Sequence, residues 1–366
     1  MKKENDPFGG FFKGKRVLVT GHTGFKGSWL SCWLLKMGAS VSGLALAPKF
    51  EKGLYTSAEL DSSIKSYIGD IRNFEFVNSV IQKEKPEIII HLAAQAIVFD
   101  ALENPYETFD VNIKGSLNIL EACKKNNCVL SLVYITSDKC YKNKEWVWGY
   151  RENDELGGYD PYSASKAAAE IVFHSYLETY FNHSGLNAAS ARAGNVVGGG
   201  DWSDYRIIPD IVRSVVNKKS LEVRNPLSTR PWQFVLEPLR GYLLLAKLLY
   251  EKNSGKEYRG SWNFGPLVEN NVNVKTLIEK TVKSWNCKLN VNYGTVEAGK
   301  KESGLLFLSY EKAFHLLNWK PVLNIDQTIS FTVDWYKKQN ENLNAGMLEF
   351  TYGQIDNYLN IVKNTQ

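Results

Sequence analysis

The stretch RVLVTGHTGFKGSWLSCWLLKM, residues 16–37, opens as a short β-branched run, turns through Gly21, Gly24 and Gly27, and continues as an apolar segment of helical length. A strand, a tight turn and a helix in that order bring backbone N–H groups and the positive end of the helix dipole to one point. Three positions without a Cβ let a pyrophosphate approach them closely. The turn therefore predicts a dinucleotide site built from Gly21, Thr23, Gly24, Phe25, Lys26 and Gly27. A glycine-rich turn with no ligand is the plainer alternative. The chain that follows argues against it.

Apolar, β-branched runs alternate with longer amphipathic stretches as far as about residue 192. The runs predict strands at 16–20, 40–46, 66–70, 87–93, 130–136 and 187–192. The stretches between them predict helices at 24–37, 73–84, 105–125 and 162–181. This is the rhythm of an α/β fold with a doubly wound parallel sheet of the Rossmann type. We assign it to residues 1–198, with a smaller C-terminal α/β lobe for substrate over 199–340 and a polar tail over 341–366. Residues 233–252 are apolar enough to pack back on the sheet. The second strand ends in GLALAPK, residues 43–49, without the carboxylate that usually holds the adenosine ribose. That strand does not choose between NAD and NADP, and Lys49 would suit a 2′-phosphate.

A net charge of +5 with mixed signs, 44% apolar and 23% charged residues describe an ordinary globular chain, not a nucleic-acid binder. The five cysteines include no CxxC pair and no grouping with histidine, so neither a disulfide framework nor a metal site is expected. No apolar run is long enough to span a membrane and the N-terminus lacks a signal-peptide core, so the expected location is the cytoplasm.

In DPYSASKAAAE, Tyr162 and Lys166 stand four residues apart on a predicted helix and so share one face. An ammonium beside a phenol favours the phenolate. The spacing predicts a tyrosine with a lowered pKa that can take a proton from a substrate hydroxyl. In YITSDKCY, Ser137, Asp138 and Lys139 close the fifth strand at its carboxyl end, where open α/β sheets place ligands. The structural alternative there is a strand cap bearing two solvated charges.

Together with these segments, KEWVWGYRE (144–152), RAGNVVGGGDW (192–202), STRPWQFVLEPL (228–239) and WNFGP (262–266) make residues 12–340 resemble the CDP-glucose 4,6-dehydratases of the extended short-chain dehydrogenase/reductase family. The resemblance implies bound NAD and a redox-neutral loss of water from a nucleotide-diphosphate sugar. Tyr162, aided by Lys166 and Ser137, would deprotonate the carbon 4 hydroxyl. Asp138 would be the acid and Lys139 the base of the elimination. Related dTDP-glucose dehydratases have Asp-Glu where this chain has Asp138-Lys139. A free ammonium near about pKa 10.4 is protonated at neutrality, so a lysine base requires burial or neighbouring positive charge. The resemblance adds Asp70, Ile71 and Ala93 to the cofactor contacts, with a helix N-cap as the alternative for Asp70. It also implies Gln95, Asn195 and Arg230 as substrate contacts, Arg230 suiting a diphosphate, and a homodimer through helices 105–125 and 162–181.

The chain departs from that subgroup in two places. Phe99, Ala101 and Leu102 stand where the subgroup has an arginine and a Ser-Tyr pair. KESGLLFLS, with Lys301, Glu302, Leu305 and Ser309, replaces a His-Glu pattern followed by a tyrosine and an aspartate. Both segments are expected to line the cofactor or sugar pocket. The competing functions are a nucleotide-sugar epimerase using the same Tyr162, Lys166 and NAD, and a cofactor-binding protein without turnover. Epimerases do not need the acid-base pair after Ser137.

Overall fold

The computed structural model describes residues 6–251, 254–294, 305–342 and 345–365. In the first half the elements are β1 (Arg16–Thr20), α1 (Phe25–Lys36), β2 (Ser40–Ala45), α2 (Leu54–Ser57), β3 (Lys65–Ile68), α3 (Phe74–Glu84), β4 (Ile88–His91), α4 (Val98–Glu103), α5 (Pro105–Phe109), α6 (Ser116–Lys125), β5 (Ser131–Ile135), α7 (Pro161–Thr179) and β6 (Asn187–Ala193). The second half adds β7 (Asn195–Val197), α8 (Ile207–Val216), β8 (Leu221–Val223), β9 (Thr229–Phe234), α9 (Leu236–Tyr250) and β10 (Gly260–Phe264). It continues with β11 (Asn271–Asn273), α10 (Val274–Trp285), β12 (Val291–Tyr293), α11 (Glu311–Leu317), α12 (Ile325–Asn342) and α13 (Met347–Thr365).

Seven strands form one sheet in the order β10-β6-β5-β4-β1-β2-β3, and every pairing in it is parallel. This is the doubly wound sheet that the alternation predicts. Both faces are covered, which is why the strands read as continuous apolar runs. Val17, Val19, Ile88, Ile90, Val133 and Ile135 enter one core with residues of α1 and α9. Their neighbours Leu18, Ile89, Leu132 and Tyr134 enter the other with α3, α6 and α7. The winding reverses between β1 and β4, so the crevice for a ligand opens at the carboxyl ends of those strands.

The second half returns to this sheet twice. Helix α9 lies against it, with Ser131 Oγ donating to Ala246 O at 2.9 Å and Asn187 Nδ2 to Leu249 O at 2.8 Å. Strand β10 adds the seventh strand beside β6, from inside the span read as the substrate lobe. Strands β11, β9 and β7 form a separate three-stranded sheet, and β12 pairs with β8. The polar tail contains α13, whose Tyr358 ring lies 6.0 Å from that of Trp33 and whose Asp356 pairs with Lys36 at 2.9 Å. The helix expected over 105–125 passes through a π-helical stretch, Asp110–Gly115, between α5 and α6. Among the described residues no helix is long and apolar enough to cross a membrane, and no group of acidic, histidine or cysteine side chains has the geometry of a metal site.

Candidate active site

The glycine turn sits at the reversal point of the sheet. Gly21 has φ +75°, and a Cβ there would lie 2.9 Å from Ala93 N, just beyond β4. A Cβ on Gly27 would lie 2.1 Å from Gly21 O, so only glycine lets α1 close onto its own turn. Gly24 is the N-cap of α1 and provides no side-chain cap. The first-turn N–H groups therefore face the crevice without a built-in acceptor. The His22 ring packs across β2, where a Cβ on Gly43 would meet it at 2.2 Å. Thr23 Oγ1 donates to Leu46 O at 2.9 Å, and Ala93 N to Thr20 Oγ1 at 3.1 Å.

Asp70 does not cap a helix. Asn73 caps α3, accepting from Phe76 N at 3.1 Å. Asp70 instead accepts from Arg72 N at 2.8 Å and Arg72 Nη2 at 2.6 Å, and the guanidinium lowers its carboxyl pKa. Ile71 is buried beneath Gly115. Lys49 lies 3.9 Å from Asp204 in an exposed ion pair.

Tyr162 and Lys166 stand on the first turns of α7 and are both buried. Asp160 caps this helix, accepting from Ser163 N at 3.0 Å, and Pro161 occupies its first position. The expected lowering of the tyrosine does not hold here. Burial pushes Tyr162 up to about 12, the nearby Asp138 adding to the rise while a hydrogen bond with Ser137 opposes it. The titration of the helix pair is carried by the lysine. Burial and the neighbouring Lys26 bring Lys166 down to about 8, against Glu170. Lys26 is likewise brought to about 8, first by burial and then by Arg206.

Ser137 leaves β5 in an extended conformation and caps the 3₁₀ turn Asp138–Cys140, accepting from Lys139 N at 3.3 Å. Asp138 is not solvated but 2% exposed. Its Oδ1 accepts from Ser137 Oγ at 2.9 Å, and its Oδ2 is buried without a partner. A Cβ on Gly194 would lie 3.5 Å from that oxygen and 3.0 Å from Pro231 Cγ. Gly194 and Pro231 are followed and preceded in the chain by Asn195 and Arg230. Asn195 is half-buried on β7, and the buried Arg230 on β9 donates to Thr229 O at 2.8 Å. Lys139 is half-buried. The site thus gathers a phenol, two ammonium groups and a carboxylate with one open oxygen at the carboxyl edge of the sheet, a set suited to moving protons on a bound hydroxyl compound.

The GDP-mannose 4,6-dehydratase family profile matches residues 18–332. The chain belongs to that family. It is 46% identical to CDP-glucose 4,6-dehydratase of Salmonella typhimurium over 332 residues, covering 89% of this chain and 92% of that protein. It is 23% identical to CDP-paratose 2-epimerase of Salmonella typhi, covering 87% and 98%. Among solved structures, dTDP-glucose 4,6-dehydratase of Streptomyces venezuelae superposes with a TM-score of 0.76 at 22% identity, covering 89% and 98%. UDP-glucose 4-epimerase of Thermus thermophilus superposes at 0.74 and 24% identity, covering 88% and 99%. At those identities the superpositions show the fold.

Three residues of this dehydratase-family site, Asn112, Arg206 and His91, carry no sequence signal of their own. Asn112, turned inward by the π-helical stretch, accepts from Gln95 N at 2.9 Å and donates to Gln95 O at 3.0 Å and Ser165 Oγ at 2.9 Å. It anchors the loop whose Gln95 Oε1 is buried without a partner. Arg206 lies near Lys26 and Tyr162 and pairs with Asp201 at 2.8 Å. His91, bonded to Thr20 and Ser116, is lowered to about 3 by burial and then by Lys166, so it is neutral.

The departures from the subgroup that lie among the described residues have different surroundings. Ala101 is in the core and Leu102 is half exposed to solvent. Phe99 stacks 5.0 Å from the Tyr205 ring, with the Arg224 guanidinium 4.2 Å above it. Ser309 N donates to Tyr150 O at 3.0 Å. Lys301 and Glu302 lie outside the described residues, and Leu305 is half-buried.

Proposed function

We propose that the protein is a nucleotide-sugar 4,6-dehydratase acting on CDP-D-glucose, with NAD held throughout the cycle. Asp138 carries this reading: it is buried, holds one oxygen without a partner, and lies close enough to raise the pKa of Tyr162. An epimerase needs no such group. The 46% identity to a CDP-glucose 4,6-dehydratase supports the choice of substrate.

The glycine turn fits a dinucleotide, since Cβ atoms at Gly21 and Gly27 would clash with Ala93 N and Gly21 O and keep the turn from closing, and the N-terminus of α1 has no cap of its own. Gly21, Thr23, Gly24, Phe25, Lys26 and Gly27 would hold the pyrophosphate. Asp70, Ile71 and Ala93 would flank the cofactor along the crevice. When bound, NAD supplies a hydride acceptor at the first step and a hydride donor at the last. Tyr162 takes the proton from the carbon 4 hydroxyl as that carbon is oxidised, and the cationic Lys166 stabilises the phenolate. The ketone acidifies carbon 5. Lys139, acting as the free amine, removes that proton, Asp138, acting as the carboxylic acid, gives its proton to the departing carbon 6 hydroxyl, and water leaves. Gln95, Asn195 and Arg230 hold the sugar and its diphosphate, the last by paired guanidinium contacts.

A homodimer through α5, α6 and α7 completes the reading, supported by Tyr106 and Ile171, 85% and 61% exposed on α5 and α7. The five free thiols suit the reducing cytoplasm. The test is incubation with CDP-, dTDP-, UDP- and GDP-hexoses followed by mass spectrometry. Loss of one water from CDP-glucose is expected. A product of unchanged mass would make the protein an epimerase, and no change across the panel a binding protein.

A further inference from the structure

Behind the site, α7 carries a second functional-looking group. Glu170 stands one helical turn beyond Lys166 on the same face, is wholly buried, and meets Arg192 of β6, 1% exposed. Arg192 Nε and Nη2 each donate to the carboxylate at 2.8 Å, a bidentate pair. Thr136 Oγ1 and Ser190 Oγ donate to its two oxygens, so all four acceptor sites are filled. On the cationic side, Arg192 Nη1 donates to Tyr141 Oη at 2.6 Å and Glu152 O at 3.1 Å, and Nη2 also reaches Ser261 Oγ at 2.9 Å. All five guanidinium N–H groups are used. Burying such a pair rarely adds net stability, because both ions leave water. Its placement suggests another use.

Thr136 immediately precedes Ser137, and Tyr141 immediately follows the turn Asp138–Cys140. Of the side chains the pair grips, Thr136 and Tyr141 stand at the two ends of the segment carrying Ser137, Asp138 and Lys139, while Ser190 and Ser261 belong to the neighbouring strands β6 and β10. Within that segment only the Ser137 Oγ to Asp138 Oδ1 bond is short, at 2.9 Å, and those made by its backbone are long: Cys140 N to Ser137 O at 3.2 Å, Tyr141 N to Asp138 O at 3.3 Å and Lys139 N to Ser137 Oγ at 3.3 Å. We propose that Glu170 and Arg192 are positioning residues that bracket the acid-base turn and fix it to the helix bearing Tyr162 and Lys166. This rests on the dehydratase reading for what the turn does. Whether the turn is bracketed is independent of it.

The bracket predicts a split between steps. Tyr162 and Lys166 keep their spacing through α7 itself, so with a loosened bracket oxidation at carbon 4 loses only the hydrogen bond from Ser137 and largely survives. Elimination does not, because a displacement of about 1 Å costs about 100-fold. Thr136→Val and Tyr141→Phe remove one grip each without exposing a buried charge, and the pair of substitutions removes both. In the doubly substituted protein, hydrogen exchange should accelerate at residues 137–141 and stay unchanged at 162–170. Deuterium incorporation at carbon 5 and water loss should fall about 100-fold while reduction of bound nicotinamide in a single turnover stays within about tenfold of wild type. Thr136→Ser, which keeps the hydroxyl, should restore the first grip. Unchanged exchange at 137–141, exchange that rises equally along α7, or oxidation and elimination falling together would overturn the proposal. A wild-type protein that never releases water would instead overturn the dehydratase reading, and the exchange pattern would still decide the bracket.

Discussion

Tyr162 and Lys166 ride on one nineteen-residue helix, whereas Ser137, Asp138 and Lys139 ride on a three-residue turn between a strand and a loop. On the helix, the distance between two groups four residues apart follows from backbone hydrogen bonding alone. On the turn the local side-chain bonds are those of Ser137 to Asp138 Oδ1 and Lys139 N, and its two ends reach partners as distant in sequence as Glu170 and Arg192. A substitution on the turn can therefore leave the helix undisturbed. Under the proposed roles, the groups assigned to oxidation and those assigned to elimination are held rigid in different ways, by helical hydrogen bonding and by side-chain partners.

The largest expected effect breaks the helix half. Replacing Tyr162 with Phe removes the group that takes the carbon 4 proton, and turnover should fall by about 10,000-fold. Stopped-flow absorbance of the reduced nicotinamide checks this; a near-normal rate would detach oxidation from the helix.

Breaking the turn should be milder and later. Lys139→Met keeps much of the side-chain volume and deletes the amine. Oxidation should persist while carbon 5 exchange and water loss fall by about 100-fold to 1,000-fold. Mass analysis of product formed in heavy water reads both, and wild-type exchange in the variant would make Lys139 a bystander.

The smallest effect concerns stability. Lys166 has a folded-state pKa of about 8 because burial and Lys26 oppose its charge. The unfolded chain then binds more protons between about 8 and the ordinary lysine value, so this residue opposes folding most fully at neutral pH, and its penalty relaxes as pH rises through that window. Lys166→Met should abolish turnover yet raise stability at pH 7 by about 2 kcal/mol, with the gain shrinking toward pH 10. Urea midpoints at the two pH values measure it, and a destabilised variant at pH 7 would show the ammonium to be held by more than it loses.

The sequence reading succeeds wherever one local rule governs. The strand at residues 16–20 coincides with β1, and the helix expected over 162–181 begins one residue earlier, at Pro161, where a capping aspartate and a proline announce it. It fails where placement depends on distant partners. Residues 260–264 are too short and polar to declare themselves a sheet strand, and only pairing with β6 makes them one. In the tail, Ile355, Tyr358, Leu359 and Val362 have helical spacing, but polar neighbours mask it until α1 provides the face they cover. Asn112 looked like any helix residue, because a π-helical stretch has no composition of its own. Spacing likewise does not reveal the rise of Tyr162, because it shows which charge is near but not how much water burial excludes.

Helix α13 also has a meaning in time. Trp33 leaves the ribosome more than three hundred residues before Tyr358, the ring that packs on it. At about 5–20 residues per second, that apolar face waits on the order of tens of seconds for its cover. During that interval the parallel sheet is completed, its last strand β10 ending at Phe264, while one side of α1 stays bare. The growing polypeptide therefore passes through a stage that is competent to fold its ligand cradle yet sticky, and shielding during synthesis falls to whatever binds exposed tryptophan until the last helix arrives.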